Sequence, residues 1–383
     1  MRIIVDARKA ADYGVGTYIQ RLGEACARLS PTDDFVFLGK ADRAGRNHAP
    51  GDLPRMSDEL TPAPGGNVTW EPNTSPNYGL GELISVSRQV RALEGDVFHA
   101  PHYVYPLMLP CPGVVTIHDC IHLRFPQQLP NPIASFYARM MIRRAVATAD
   151  RVLTVSEATR ADLVELVGAD PSRIDVIPHG CDPYFLENVD DLELREVAEK
   201  HGLERPFLLN VTNIKPHKNL KRLLGAFGLL AGDYDDLELV IAGGTLDQHP
   251  ELEAVCSSCG ILDRVRSVGF LPKQELRALY HLSRIFVFPS LYEGFGLPPL
   301  EAMACGTPVV ASRSSAIPEV VGRSGLLVNP YRIDAIAEAI RSLLENSSFR
   351  DALGAQGRLR AREFNWDDSA RRVLDVYEEV AAA

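Results

Sequence analysis

Two glutamates flank a glycine-bearing loop in the second half of the chain. Glu293 and Glu301 lie eight positions apart within residues 289–310, and Gly294 and Gly296 lie between them. Glycine lets the backbone approach a ligand closely, and a helix that begins after such a loop offers unpaired N–H groups and the positive end of its dipole. A phosphate would fit there. Because carboxylates accept hydrogen bonds from hydroxyls, ribose and hexose are the natural partners of the two glutamates.

The loop is predicted to lie between a buried strand, a short helix and a second strand. The apolar run 284–288 has the composition of a strand in a parallel sheet, and the prolines after it cannot continue a central strand. Pro298 or Pro299 suits the first turn of the helix, and Gly306 ends it before a strand at 308–311. The chain therefore turns out at the carboxyl edge of the sheet, where the helix start faces the loop.

This pattern resembles the E-x7-E signature of the retaining glycosyltransferases of family 4, which have the two-domain GT-B fold. The resemblance implies that Glu293 lies by the donor sugar and that Glu301 binds the ribose hydroxyls of a nucleotide sugar. On the local pattern alone, a loop carboxylate and a helix-surface carboxylate with no such roles remain the alternative. The donor site implied by the resemblance also includes the residues between the glutamates, namely Gly294, Phe295, Gly296 and Leu297.

A second polar segment, 210–220, follows the first strand of the second half. Lys218 lies where an ammonium could meet a diphosphate and stabilise the leaving group, as a metal ion would otherwise do. A solvated lysine at a helix start is the less favourable interpretation, because a cation there opposes the helix dipole. Many family members have an arginine five residues earlier, where this chain has Asn213. We keep Asn213 in the donor site and expect a second cation from Lys215 or from the other domain.

Polar residues also follow a buried strand in the first half of the chain. His118 and Asp119 come directly after the apolar run 114–117. The family has a His-Asp pair at this point, with the histidine near the transferred hexose, and Asp119 is expected to orient the loop. Two other interpretations stay open, a structural histidine and a metal cluster with Asp119 and His122.

Glycine-containing turns add further candidates for the donor site. Gly14 and Gly16 open the first helix, but a third glycine is missing, which makes a nicotinamide dinucleotide fingerprint weak. The family resemblance places this loop near the donor diphosphate and the acceptor. Gly243 follows a strand and could approach the donor, and Phe270 and Leu271 resemble the family segment that lines the nucleobase pocket through its backbone. Ordinary turns are the alternative for all of them.

The composition limits the classes of function. The chain has 383 residues, 46% of them hydrophobic and 23% charged, which is typical of a soluble globular protein with two or three domains. A net charge of -10 argues against a general nucleic-acid binder. We expect a cytoplasmic protein, because no run of about 18 apolar residues could span a membrane and the N-terminal residues do not resemble a signal peptide.

No metal or other cofactor is expected. The seven cysteines are scattered, and the pair Cys256 and Cys259 has no second pair or suitably spaced histidines to complete a zinc site, so free thiols are predicted. The run Asp233-Tyr234-Asp235 formally matches a D-x-D metal motif, but it lies before a strand rather than after one. We interpret it as solvated surface.

Two alternations of strands and helices predict two doubly wound domains with parallel sheets. An N-terminal, acceptor-side domain is expected over residues 1–183 and a nucleotide-sugar-binding domain over 184–365, with a linker at 177–183. Apolar positions at helical spacing predict a helix in 366–383, which in the family crosses back onto the first domain. The expected fold is therefore α/β, with two Rossmann-like domains that face each other across a cleft as in GT-B enzymes.

Two segments of the first half are predicted to lie at its surface. Residues 40–81 are rich in Pro, Gly, Asn and Asp and are predicted to form a long, functional loop. Residues 135–145 combine arginines with large apolar side chains. A helix packed on the first sheet is the preferred interpretation, and the alternative is a basic amphipathic helix on an anionic membrane surface, which would suit a lipid-linked acceptor.

The function expected from these residues and from the family resemblance is retaining transfer of a hexose. The donor is a nucleotide diphosphate sugar, with GDP-mannose as the first choice because the chain is similar to bacterial mannosyltransferases of polysaccharide assembly. The acceptor is a hydroxyl of a glycan or of a lipid-linked molecule, and no nucleic acid takes part. The alternatives are a nucleotide-sugar epimerase, a disaccharide phosphorylase and a noncatalytic nucleotide-sugar sensor, which product analysis would distinguish.

Overall fold

The computed structural model describes residues 1–12, 14–39, 67–73 and 81–383. These residues divide into two compact units. The first unit ends at Gly180 and takes up the chain again over Asn365–Ala383, and the second unit spans Cys181–Phe364. The division falls inside the predicted linker 177–183. The roles assigned to the two domains remain predictions.

A parallel sheet of seven strands forms the centre of the first unit. In the described part of the chain the strands run in the order β3-β2-β1-β4-β5-β6-β7. They are β1 (Arg2–Asp6), β2 (Asp34–Gly39), β3 (Val68–Pro72), β4 (Val97–Ala100), β5 (Gly113–Ile117), β6 (Arg151–Thr154) and β7 (Ile174–Val176). The helices are α1 (Val15–Leu29), α2 (Glu82–Ala92), α3 (Ile121–Arg124), α4 (Pro132–Thr148) and α5 (Glu157–Val167).

Helices cover both faces of this sheet. Successive strand residues point to opposite sides, so neighbouring residues pack against different helices. Ile3 packs in a buried cluster with Leu22 of α1, whereas the next residue, Ile4, packs in another cluster with Val90 of α2 and Ile142 of α4. Strands such as β4 and β5, which are buried along their whole length and mostly apolar, suit this two-sided burial. The predicted doubly wound arrangement is therefore confirmed for the first unit.

The prediction of one long loop over residues 40–81 is wrong for the part that the structure describes. Residues Val68–Pro72 form β3, which pairs parallel to β2 at the edge of the sheet. Trp70 stacks on Phe37 of β2 with ring centroids 5.2 Å apart, so an aromatic contact adds to the strand pairing of a short segment that has no clear period of its own. The rest of the predicted loop, residues 40–66 and 74–80, lies outside the described residues.

The second unit has a parallel sheet of six strands among its described residues, in the order β10-β9-β8-β11-β12-β13. The strands are β8 (Phe207–Val211), β9 (Glu238–Ala242), β10 (Val265–Gly269), β11 (Ile285–Phe288), β12 (Val309–Ser312) and β13 (Leu326–Val328). The order reverses between β8 and β11, which makes this pair the topological switch point of the sheet. The second predicted doubly wound domain is confirmed.

Helices cover both faces of the second sheet as well. They are α6 (Asp191–His201), α7 (Leu220–Leu230), α8 (Pro250–Ser258), α9 (Lys273–Leu282), α10 (Leu297–Ala304), α11 (Ile317–Val321), α12 (Ile333–Glu345) and α13 (Ser347–Ala361). Short 3-10 turns lie at Pro126–Gln128, Pro171–Arg173, Pro183–Leu186, Pro216–Lys218, Leu246–Gln248 and Leu262–Arg264.

The last helix, α14 (Trp366–Ala381), belongs to the first unit. Val373 and Tyr377 are buried in the cluster that contains Leu22 of α1, and Asp367 pairs with Arg28 at the end of α1. A helix was predicted at this place from its apolar spacing. No helix in the described ranges is long and apolar enough to span a bilayer.

Candidate functional site

Two charged side chains meet at the switch point of the second sheet. Lys218 follows β8, Glu293 follows β11, and Lys218 Nζ lies 2.6 Å from Glu293 Oε1. Both side chains are 15% exposed, so the pair is largely buried. In open parallel sheets the ligand crevice lies outside the carboxyl ends of the strands at this reversal of strand order. The topology therefore brings together two residues that the sequence separates by 75 positions.

A buried asparagine, Asn219, holds the lysine loop against the glutamate loop. It follows the turn Pro216–Lys218, adopts a left-handed backbone with φ of 63°, and is 4% exposed. Its Nδ2 donates to the carbonyls of Pro289 at 2.9 Å and Pro330 at 2.7 Å. Asparagine tolerates this backbone better than most residues, since its short polar side chain can bond locally. We had not identified Asn219 from the sequence.

The loop around Glu293 is held by a second residue that sequence reasoning missed. The Glu293 N–H donates to Ser315 Oγ at 2.8 Å, and Ser315 has a positive φ of 49°. On the lysine side, Nζ of Lys218 lies 5.7 Å from the ring centroid of Phe288. The lysine and the glutamate thus neutralise each other, whereas the sequence assigned them to a diphosphate and a hexose separately. A bound diphosphate would have to share the ammonium with Glu293.

Helix α10 begins after Gly296, as predicted, but it has few free amides. Gly296 has φ of 124°, and a Cβ there would lie 2.8 Å from Cδ1 of Ile317, so glycine is required. Pro298 and Pro299 have no N–H, and the N–H of Leu300 donates to the Gly296 carbonyl at 3.3 Å. An anion at this helix start would therefore depend on the N–H of Leu297 and on the amides of the glycine loop.

Glu301 lies on α10 and is partly buried there. Its Oε2 accepts a hydrogen bond of 2.9 Å from the hydroxyl of the buried Tyr280. Burial raises the pKa of Glu301 to about 7; the Tyr280 hydrogen bond and Lys273 oppose the rise, whereas Asp182 adds to it. Near neutral pH this carboxyl is consequently divided between its protonated and charged forms.

The loops after β8, β9 and β10 contact one another at the same edge of the sheet. The Gly243 N–H donates to the Gly269 carbonyl at 2.7 Å, and a Cβ on Gly243 would lie 2.7 Å from the Thr212 carbonyl oxygen. Asn213 directly follows Thr212 and is exposed, and Phe270 follows Gly269 and is 52% exposed. Four predicted donor residues therefore lie on these adjoining loops, namely Asn213, Gly243, Phe270 and Leu271.

Phe295 differs from the other predicted donor residues in this unit. Its side chain is 6% exposed and packs edge-on against Phe364, with ring centroids 5.8 Å apart. The ring of Phe295 is therefore buried in the core, so the predicted donor contact of this residue can involve only its backbone. Gly294 and Leu297 are partly exposed on either side of it.

In the first unit, His118 is a neutral imidazole with a fixed tautomer. Its Nε2 lies 3.1 Å from the Pro101 carbonyl, which can only accept, so Nε2 carries the proton and Nδ1 the lone pair. Burial lowers the pKa of His118 to about 4, and the ring of Tyr18 packs edge-on at a centroid distance of 4.7 Å. His118 can thus accept a hydrogen bond from a hydroxyl but does not carry a charge near neutral pH.

Backbone geometry accounts for the two glycines at the start of α1. Gly14 has φ of 76°, and a Cβ on Gly16 would overlap the Ala10 carbonyl. The backbone angle of Gly14 and the crowding at Gly16 explain both glycines without a ligand. That these two residues lie near a donor remains a prediction.

Known proteins resemble this chain along most of its length. Residues 13–185 match the family described as Glycosyltransferase Family 4, and residues 193–360 match Glycosyl transferases group 1. The chain is 30% identical over 301 residues to O-antigen chain mannosyltransferase B of Escherichia coli, which covers 77% of this chain and 78% of that protein. The chain belongs to the family 4 glycosyltransferases.

One further sequence relative and one solved structure are similar to this glycosyltransferase. It is 28% identical over 277 residues to the serotype-specific mannosyltransferase WbdA of Escherichia coli, which covers 70% of this chain but only 34% of that protein. A solved structure of Anabaena HepE in complex with UDP and glucose has a TM-score of 0.76 and 18% identity, covering 99% and 100% of the two chains. At this identity the likeness concerns the fold, and with the two Rossmann-like units it confirms the GT-B architecture.

The glycosyltransferase also has a polar network inside its first unit that sequence reasoning missed. Buried His99 shares hydrogen bonds with Tyr377 of α14 at 2.6 Å and with Thr116 of β5 at 2.7 Å, and Thr116 with Tyr18 of α1 at 2.9 Å. Burial lowers the pKa of His99 to about 3. The network connects the last helix to the aromatic ring that contacts His118.

The metal alternative for the His118 loop finds no support among the described residues of this glycosyltransferase. No three His, Cys, Asp or Glu side chains of that part of the chain are grouped to hold a metal ion. Asp119 Oδ1 instead accepts from the Ile121 N–H at 2.9 Å, at the start of α3, as expected of a residue that orients the loop. All seven cysteines are free thiols, as predicted.

Proposed function

We propose that this glycosyltransferase moves a hexose from a nucleotide diphosphate sugar to a hydroxyl of a glycan or lipid-linked acceptor, with retention of the anomeric configuration. The observation that carries the proposal is the buried Lys218–Glu293 pair at the switch point, beside the start of α10. A cation and a carboxylate within 2.6 Å offer one group for a diphosphate and one for a sugar hydroxyl. Membership of family 4 supports this division of roles.

The proposed donor site uses charge and hydrogen bonds from the chain itself. Lys218, with the Leu297 N–H and the glycine-loop amides, stabilises the negative charge that develops on the leaving diphosphate, and no metal is required. Glu301 accepts hydrogen bonds from the ribose hydroxyls. The nucleobase lies along the backbone of Phe270 and Leu271, near Gly243 and Asn213. Glu293 and His118 contact the hexose, and the Gly14 and Gly16 loop lies near the diphosphate.

The proposed reaction exchanges one C–O bond for another on the same face of the sugar. The bond between the anomeric carbon and the diphosphate oxygen breaks as the acceptor oxygen forms the new glycosidic bond, through an oxocarbenium-like state. The proton of the acceptor hydroxyl passes to an oxygen of the departing phosphate. The tautomer of His118 fits this scheme, because its Nδ1 lone pair can hold a sugar hydroxyl without adding a positive charge beside the developing cation.

Mannose from GDP-mannose is the first candidate for the donor. The names of the two Escherichia coli relatives support a mannosyl donor and a role in polysaccharide assembly, although the solved HepE complex contains UDP and glucose. We place the enzyme in the cytoplasm, peripheral to the inner face of the membrane through residues 135–145. Seven free cysteines support a reducing compartment.

A panel of nucleotide sugars tests the proposal directly. A ligand that binds only the folded state raises its melting temperature, and about 2.7 kcal/mol of stabilisation is expected at 100 times the Kd. GDP-mannose should give the largest shift, and transfer with GDP-mannose should produce an α-linked product by NMR. An inverted anomer would exclude retention, and no shift with any nucleotide sugar would exclude a donor site.

A further inference from the structure

A polar cavity lies at the amino edge of the second sheet. It has a volume of about 200 Å³ and lies beside the starts of β11 and β12, where the end of α9, the end of α10 and the first turn of α13 meet. The pair of Lys218 and Glu293 follows the carboxyl ends of β8 and β11, and therefore lies at the other edge of the same parallel sheet. The cavity is thus a candidate ligand site separate from the proposed donor site.

Close packing of α13 brings two arginines together at this cavity. A Cβ on Gly354 of α13 would lie 2.3 Å from the carbonyl oxygen of Gly306, so the helix contacts the turn after α10 backbone to backbone. Arg350 lies four residues before Gly354, on the same face of α13, and lines the cavity. Arg284, directly before β11, lines it from the side of the sheet. Two guanidinium groups from distant parts of the sequence therefore share one cavity.

Both arginines keep nitrogens that can bind a ligand. The exposed side chain of Arg284 forms no ion pair or hydrogen bond with any residue that the structure describes. Arg350 contacts Asp351 Oδ1 through Nε at 3.3 Å, and its two terminal nitrogens make no hydrogen bond within the described ranges. Asp351 also lines the cavity, but its side chain is 73% exposed. Two guanidinium groups against one exposed carboxylate favour an anion in this cavity.

Neutral polar groups complete the lining of the cavity. His281 lines it, and its Nε2 is buried and has no hydrogen-bond partner among the described residues. Burial lowers the pKa of His281, so the ring is neutral near pH 7 and can accept a hydrogen bond from a ligand hydroxyl. The Tyr280 carbonyl, near the end of α9, accepts from Ser283 Oγ at 2.9 Å and Thr307 Oγ1 at 2.6 Å. The arginines are therefore not needed to satisfy that carbonyl.

We propose that this cavity binds a small phosphorylated sugar. Guanidinium groups match phosphate oxygens with pairs of hydrogen bonds, so Arg284 and Arg350 hold the phosphate. A hydroxyl of the sugar donates to Nε2 of His281. The volume of about 200 Å³ is several times the roughly 30 Å³ that one water molecule occupies in the liquid, so the cavity admits more than a phosphate ion. This inference stands independently of the proposed transfer reaction.

Isothermal titration calorimetry of the full chain with glucose 6-phosphate tests this binding without any nucleotide sugar. Saturable binding is expected, with weaker binding of inorganic phosphate and none of glucose, and a higher salt concentration should weaken it. A hydrogen bond to a charged group contributes about tenfold or more to affinity, so Arg284→Gln and Arg350→Gln should each weaken binding about tenfold and together about 100-fold. Arg284→Lys should keep part of the affinity, because the positive charge remains.

Two further variants of the second unit are the controls. Arg195→Gln removes an exposed arginine on α6, and Lys218→Ala removes the cation of the proposed donor site, so neither should change the affinity for glucose 6-phosphate. Equal melting temperatures of the arginine variants and the wild type would show that lost binding is not lost folding. Absence of saturable binding, unchanged affinity in the Arg284 and Arg350 variants, loss of binding in Lys218→Ala, or inorganic phosphate that binds as tightly as glucose 6-phosphate would each overturn the proposal. Titration of the same variants with GDP-mannose reports on the proposed function separately.

Discussion

The raised pKa of Glu301 should make donor binding depend on pH. Burial raises the pKa of this carboxyl to about 7, and it lies where the proposed function puts the ribose. A ribose diol donates hydrogen bonds best to a charged carboxylate. Both phosphates of a nucleotide sugar are esterified, so the donor itself does not titrate near neutral pH. Binding should therefore require loss of the Glu301 proton.

The size of the effect follows from that pKa. A carboxyl with a pKa of about 7 is roughly 9% ionised at pH 6 and roughly 91% ionised at pH 8, so donor affinity should rise about tenfold between them. Isothermal titration calorimetry with GDP-mannose in buffers of different ionisation enthalpy measures both quantities. About 0.9 proton should be released per donor bound at pH 6, and about 0.1 at pH 8.

Variants at Glu301 and Tyr280 show whether this carboxyl is responsible. Glu301→Gln keeps the shape but cannot ionise, so its donor affinity should be weak and independent of pH. Tyr280→Phe removes the hydrogen bond that lowers the pKa of Glu301, so the rise in affinity should move to higher pH. Equal pH dependence in the wild type and in Glu301→Gln, or an affinity that does not change with pH, would refute the reasoning.

Four further outcomes are expected. The folded state binds the Glu301 proton more tightly than the unfolded chain, so the free energy of unfolding falls from pH 4.5 to about 7. Measured by urea titration, the free energy of unfolding of Glu301→Gln should exceed that of the wild type by about 1–2 kcal/mol at pH 8 and equal it at pH 4. Lys218→Ala should lower kcat. The double variant Lys218→Ala with Glu293→Ala should lose less kcat/KM than the two single variants lose together, with a coupling free energy of about 1–3 kcal/mol. Strictly additive losses would mean that the pair does not act together. Asn219→Ala should destabilise the fold by about 1–3 kcal/mol in chemical denaturation, and a neutral result would show that its two hydrogen bonds do not matter. A chelator should leave the transfer rate unchanged, and inactivation restored by a divalent cation would contradict the assignment of the leaving-group charge to Lys218.

Much of the second unit could be predicted because local signals agree there. The apolar run at 284–288, the glycines and prolines after it and Gly306 predicted the strand, loop and helix that the structure has at Ile285–Phe288 and Leu297–Ala304. Such elements depend on side-chain period and on residues that interrupt a helix or strand, both of which can be read locally.

The contacts that complete the site depend on strand order, which no local pattern contains. Lys218 and Glu293 meet only because β8 and β11 are neighbours in the sheet. The same holds for Asn219, which reaches the Pro289 and Pro330 carbonyls. Residues that position a site act through the fold, so their types alone did not reveal them.

Strand β3 was missed for a different reason. Among the described residues it is a short edge strand whose one neighbour is β2, and Trp70 stacks there on Phe37. Five residues with polar and proline neighbours do not show enough alternation to stand out from a loop.

The membership of α14 in the first unit determines the order in which the chain can fold during synthesis. The core around α1 includes Val373 and Tyr377, which leave the ribosome after the whole of the segment Cys181–Phe364 that forms the second unit. Domains fold as units once their residues have emerged. The second unit can therefore finish folding first, and the first unit keeps the apolar side of α1 exposed until α14 has emerged.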